Sequence, residues 1–157
     1  MDIREGFPYS KCIVFMAKNK LVIEYEYNFD LYGIISISRD YKLAWLINQA
    51  LGIHLVKEKD IKINFLNNEE LVISNYLYNT EHTQFRLLKN KSEASKSDSL
   101  RYLIPELNRF DYLIMKKDNL GEANDADWFS QIQQIKEIQY ITAISVKKLK
   151  SRENLLF

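Results

Sequence analysis

Two carboxylates, Glu106 and Asp111, bracket the stretch of this chain most suited to chemistry: Ile104-Pro105-Glu106-Leu107-Asn108-Arg109-Phe110-Asp111-Tyr112. Paired carboxyls do acid/base work when a fixed separation drives their pKa values apart, so that one keeps its proton while the other ionises. Only the fold can turn their sequence spacing into such a separation. Pro105 fixes its own φ, removes a backbone donor and pushes Ile104 toward extended geometry. The segment is therefore expected to be a joint, where one strand ends and a second begins at Phe110. Aspartate is depleted in strands. With Phe110 and Tyr112 facing the core, Asp111 points the other way, toward a basic residue, a backbone turn or water. A structural role is the first expectation for both carboxylates, since ion pairs perturb carboxyls as sites do. Partner contact through Glu106, Asp111 and Tyr112 comes second, and catalysis last.

The remaining candidates for chemistry are weaker. His54 and His82 lie far apart and lack metal-ligand spacing. The single cysteine, Cys12, has no flanking basic cluster to activate it and no partner within the chain for a disulfide. Gly6, Gly33, Gly52 and Gly121 are the only glycines, too few and too scattered for a phosphate-cradling loop. No catalytic residue, metal set or cofactor is predicted.

Two features suit binding. Val72, Ser74, Tyr76 and Tyr78 alternate along what reads as one strand face, and exposed tyrosines stack on bases or anchor a protein partner. Packing under helices, with hydroxyls outward, is the first expectation for them. Near the end, Lys147, Lys148, Lys150 and Arg152 precede Leu155-Leu156-Phe157. Basic residues before an apolar terminus suit a protein partner, a phosphate backbone or a second copy of the chain; a solvated strand end is the plainer reading.

Composition narrows the classes. With 157 residues, 46% hydrophobic and 27% charged, the chain suits one domain that buries a core unaided. Its net charge of +1 gives no footprint for a general DNA-binding domain. No apolar run approaches the roughly 18 residues of a membrane span. A reducing, cytoplasmic setting follows from cysteine usage. Scarce glycine and proline leave turns to Asn, Asp, Ser and Lys.

Periodicity supplies the elements. Residues 1–15 read as an irregular N-terminal extension, with Met16 an alternative start, and 16–157 as a single domain. Leu21-Val22-Ile23 and Leu31 to Ser38 are extended. Ser38 is placed to cap a helix over Arg39–Leu51, with Leu43, Leu46, Ile47, Ala50 and Leu51 on one stripe and Gly52 just past its end. Ile61 to Phe65 and Leu71 to Tyr78 form a hairpin about Asn67-Asn68, and Phe85 to Leu88 adds a third strand. Lys89 to Ser99 is polar, serine-rich and without period, a loop. Phe110 to Met115 is a strand and Asp118 to Gly121 a turn. A helix capped by Asn124 or Asp125 carries Trp128, Phe129, Ile132 and Ile135, and Ile138 to Val146 returns as a strand. Together these predict an α+β sandwich: a mainly antiparallel sheet of six to eight strands with two helices on one face, ferredoxin-like in part.

The stretch from Ile104 to Tyr112 resembles the signature of a bacterial family named for the pattern Ile-Pro-Glu, three residues, Val-Asp-Tyr (the IPExxxVDY family). Ile104, Pro105, Glu106, Asp111 and Tyr112 match, and Phe110 stands where valine is usual. Asp40-Tyr41-Lys42-Leu43-Ala44, with Leu46, Asn48 and Leu51-Gly52-Ile53, is similar to the family's first helix. Leu149-Lys150-Ser151, Asn154 and Leu155 to Phe157 are similar to its ending. The resemblance spans roughly Met16 to Phe157 and implies a small bacterial cytoplasmic protein. It brings no established activity and no catalytic residues to carry over. The leading expectation is thus a non-catalytic interaction or adaptor module that binds a protein partner or itself through a sheet edge or the tail. An RNA-associated protein using Tyr76 and Tyr78 with Lys147, Lys148, Lys150 and Arg152 is the alternative. A small-ligand sensor, on fold analogy alone, is the third.

Overall fold

In the computed structural model the described residues are 12–17, 20–65, 68–92, 101–119 and 125–157. In chain order the elements are β1 (Cys12–Ala17), β2 (Lys20–Tyr25), β3 (Asp30–Ile35), α1 (Asp40–Leu51), β4 (Val56–Lys57), β5 (Ile61–Asn64) and β6 (Glu70–Ile73). There follow β7 (Asn75–Asn79), β8 (Thr83–Lys89), β9 (Tyr112–Asp118), α2 (Asp125–Gln133) and β10 (Tyr140–Ile144). Six strands form one antiparallel sheet in the order β10-β3-β9-β8-β7-β4, and β1–β2 and β5–β6 are separate two-stranded ribbons. No helix among the described residues is long and apolar enough to cross a membrane.

The sheet is covered on both faces, which is why its central strands are apolar throughout. Along β9, Leu113 and Met115 enter one core cluster while Tyr112 and Ile114 enter the other. The first face carries both helices, through Leu43, Ala44 and Ile47 of α1 and Trp128 and Ile132 of α2. The second is roofed by Leu71 and Ile73 of β6, by Leu103 to Phe110, and by Val146, Leu149 and Leu155 of the C-terminal segment. The two helices thus share one face, as expected.

Local signals place α1 well. Asp40 lies in its first turn, where an acid meets the positive end of the helix dipole. Gly52 at φ 64° is the left-handed residue beyond its end, donating to the Asn48 carbonyl at 2.9 Å. Asn68, at φ 60°, makes the turn between β5 and β6. The cap differs from expectation. Arg39 takes that position without a side-chain bond, and the Ser38 carbonyl instead accepts the Tyr112 hydroxyl.

Five boundaries need correction, each for a tertiary reason. The run Leu71 to Tyr78 is two strands, because the chain changes sheets at Ser74: β6 pairs with β5, and β7 pairs with β8 and β4. Val72 therefore does not share a strand face with Tyr76 and Tyr78. Lys89 to Ser92 is ordered structure, not loop: Lys89 ends β8, Asn90 is fully buried and Lys91 bridges to Tyr102. Ser92 is buried too, its hydroxyl accepting the Val72 N–H at 3.1 Å; the rest of the predicted loop lies outside the described residues. β9 begins at Tyr112, so Phe110 and Tyr112 face opposite cores. β10 ends at Ile144, and Val146 belongs to a short helical turn. β1 runs from Cys12, so residues 12–15 are strand, and a boundary at Met16 falls inside β1. Asn124 and Gly121 lie outside the described residues, and Asp125 is the first residue of α2.

Candidate functional site

The motif segment sits where three strands end. The Asp111 N–H donates to the Ile34 carbonyl and its own carbonyl accepts the Asn90 N–H, both at 2.9 Å. With its backbone divided between two neighbours, Asp111 turns out of the ladder. Its carboxylate accepts the Ser36 N–H at 3.0 Å and faces the Lys91 ammonium at 3.5 Å, with 28% of the side chain exposed. Ser36 in turn donates its hydroxyl to the Glu137 carbonyl at 2.7 Å. Asp111 thus meets a backbone turn and a basic residue, two of the three partners foreseen for it.

Glu106 serves a different segment. Pro105–Leu107 forms a short 3-10 turn, entered from the extended Ile104. The exposed Glu106 carboxylate accepts the Ser151 N–H at 2.7 Å. Burial raises its pKa, but hydrogen bonds from Ser151 and from the backbone of Glu106 and Lys150 outweigh that and hold it below its ordinary value. Nearby, the Asn154 amide donates to the Leu103 carbonyl at 2.8 Å. Glu106 clasps the C-terminal segment while Asp111 ties strand ends, so the two carboxylates are engaged by different partners. Tyr112, the third motif residue named for binding, is 2% exposed on the helix-covered face.

The keystone of the joint is Asn90. Its amide donates to the carbonyls of Leu107 and Phe110, and its oxygen accepts the Ile104 N–H, all within 2.9–3.0 Å. One side chain so satisfies three backbone groups of an irregular, buried turn.

A second polar cluster joins α1, β4 and the break between β6 and β7. The Ser74 hydroxyl donates to Asp40 and accepts from the Lys57 ammonium at 2.8 Å. The Tyr76 hydroxyl reaches the same Asp40 oxygen at 3.3 Å, and Lys57 lies 5.3 Å from the Tyr76 ring centroid and pairs with Asp60. A hydroxyl between a carboxylate and an ammonium is one ingredient of a nucleophile. Burial pushes the Asp40 pKa up, but the Ser74 hydroxyl, the Tyr41 N–H, Lys89 and Lys57 hold it below its ordinary value. A carboxylate so held is a poor general base at neutral pH, where the best base has a pKa near the working pH. The cluster is a strap that fixes the sheet change at Ser74. Its members come from three separate places in the chain, so no single local spacing marks them.

The structure does not bring the residues foreseen for RNA onto one face. Tyr76 is 8% exposed and Tyr78 half-buried, both against the helix-covered core. Lys147, Lys148 and Lys150 are exposed on the segment that roofs the opposite face. Arg152 donates to the Lys147 carbonyl at 3.1 Å and lies 5.6 Å from the Tyr27 ring centroid. Of these charges Lys147 and Arg152 line an open cleft of about 810 Å³ with Tyr25 and Tyr27, but Glu26, Asp30 and Glu153 line it too and oppose a phosphate chain.

Among the described residues no group of three or more His, Cys, Asp or Glu is placed to hold a metal ion. Comparison with family models, curated proteins and solved structures finds no match to this chain.

Proposed function

We infer that the protein is a non-catalytic interaction module that associates with itself through the outer edge of β10. The carrying observation is the contrast between the two edges of the six-stranded sheet. β4 is two residues long, and its Lys57 is ion-paired. Short strands and edge lysines are the devices that blunt an edge against pairing. β10, Tyr140-Ile141-Thr142-Ala143-Ile144, has five residues, no charge and no proline, and among the described residues it pairs only with β3. Tyr140 is 50% exposed. Two copies of β10 laid antiparallel about Thr142 set Tyr140 opposite Ile144 and Ile141 opposite Ala143. Aromatic and β-branched cross-strand neighbours of this kind favour pairing.

The strand order supports a ferredoxin-like core within the larger sheet. The chain leaves β3 through α1 and comes back, by way of the added strands, to β8; β9 lies between β3 and β8, and α2 leads to β10 on the far side of β3. β4, β7 and the two ribbons are additions. Membership of the IPExxxVDY family is part of the same reading, supported by the motif's anchoring of strand ends and tail. A bacterial, cytoplasmic setting comes with it.

Size exclusion with light scattering tests the self-association. A dimer is expected for the natural sequence, and a monomer of unchanged helix and strand content for Thr142→Lys or Ala143→Lys. A strictly monomeric natural protein across the accessible concentration range overturns the reading.

A further inference from the structure

A cleft of about 310 Å³ opens where α1 ends and α2 begins, floored by β8 and β9. Leu51, Ile53, Phe85 and Trp128 make its apolar wall. Lys116, Asp118 and Asp127 bring one cation and two carboxylates to the same space. Lysine is seldom buried unless paired, yet Lys116 is only 8% exposed. Its ammonium lies 3.8 Å from Asp118 and 5.6 Å from the Trp128 ring centroid.

From this arrangement we propose that the cleft binds a small zwitterion with an apolar body, of the α-amino-acid type. The ligand carboxylate is taken by Lys116, whose ammonium has three donors and so can hold it while still facing Asp118. The ligand ammonium is taken by Asp118 and Asp127. Its side chain lies on Leu51, Ile53 and Phe85. The volume is at the low end of the roughly 300–1,000 Å³ typical of ligand pockets, which suits one small molecule and not a nucleotide. A mixed-charge cleft also rejects a plain carboxylic acid or amine, each of which leaves one charged wall unanswered. The site stands independently of the β10 edge.

Trp45→Phe leaves Trp128 as the only tryptophan, so its emission reports on the cleft. Titration with L-phenylalanine is expected to give a saturable change in that emission and a rise in Tm. 3-Phenylpropionate and phenethylamine, each lacking one charge, should bind at least about tenfold more weakly. Lys116→Met should abolish the response. If that variant fails to fold, Ile53→Tyr, which fills the cleft from its rim, should do the same in a folded protein. No response to L-phenylalanine up to about 10 mM, a free energy near 2.7 kcal/mol, overturns the proposal. Equal binding of all three compounds, or an undiminished response in Ile53→Tyr, also overturns it.

Discussion

Asn90 holds Phe110 from the far end of a neighbouring strand: its side-chain amide donates to the Phe110 carbonyl at 3.0 Å, while its backbone N–H binds Asp111. The same amide reaches Leu107, and its oxygen reaches Ile104. A fully buried residue therefore organises a turn that has no regular ladder of its own.

Removing that amide should be the most damaging polar substitution in the molecule. Asn90→Ala takes their side-chain partner from the Phe110 carbonyl and the Ile104 N–H, while the Leu107 carbonyl keeps the Phe110 N–H, and a buried unsatisfied group costs about 1–3 kcal/mol. Allowing for partial relaxation, a loss of about 3 kcal/mol is expected. Urea denaturation of the variant measures it. A loss below about 0.5 kcal/mol, the range of ordinary surface changes, contradicts the assigned role.

Asp111 should behave as a tie and not as an acid. Asp111→Asn keeps an oxygen for the Ser36 N–H and loses only the partly solvated attraction to Lys91. About 0.5 kcal/mol or less is expected, as for exposed ion pairs. Asp111→Ala removes the acceptor and should cost about 1–2 kcal/mol. Equal losses in the two variants would show that charge, not the hydrogen bond, matters there.

Asp40 and Glu106 make stability depend on acid. Each has a folded-state pKa below its unfolded value, although burial alone acts in the opposite sense. The unfolded chain then binds more protons in the acid range, so the stabilisation is complete above the unfolded values, about 4, and is lost as pH falls through the folded ones. Asp40→Asn with Glu106→Gln should flatten the fall of Tm between about pH 5 and pH 3. A slope identical to that of the natural protein counts against both assignments.

Gly33, inside β3, and Phe110, just ahead of β9, form a matched pair. A Cβ built at Gly33 would lie 2.6 Å from the Phe110 ring and 2.8 Å from Ile144 Cδ1. The glycine is thus the space that the ring occupies. Gly33→Ala should cost about 1–3 kcal/mol by overpacking. Phe110→Val should cost about 2–3 kcal/mol through a cavity. Together they should cost at least about 0.5 kcal/mol less than the sum, the coupling of residues that share one space. Strict additivity in a double-mutant cycle would separate them.

Legibility in the sequence followed the range of the forces involved. Helix α1, its end at Gly52 and the turn at Asn68 rest on local backbone preferences and stand where periodicity places them. The break at Ser74 does not, because it depends on Asp40 and Lys57, distant in sequence and near only after folding. Asn90 looked like the start of a polar loop because its composition is that of one; its partners lie well beyond any local window. Asp111 was marked out by an aspartate among apolar residues, a real local anomaly, and its surroundings needed the sheet. The cleft beside Lys116 carried no signal, since its wall is assembled from both helices and three strands.

Strand β3 has a consequence for the order of assembly. It lies between β9 and β10, whose pairing residues come many tens of positions later in β9 and more distantly still in β10, as in the ladders that join Leu31 to Met115 and to Ile144. Sheets built on such distant pairings fold slowly, because loop closure must precede the reward of contact. Vectorial synthesis therefore presents β3 with both edges bare while neither neighbour yet exists. Its Leu-Tyr-Gly-Ile-Ile run is then a segment that a chaperone has reason to shield.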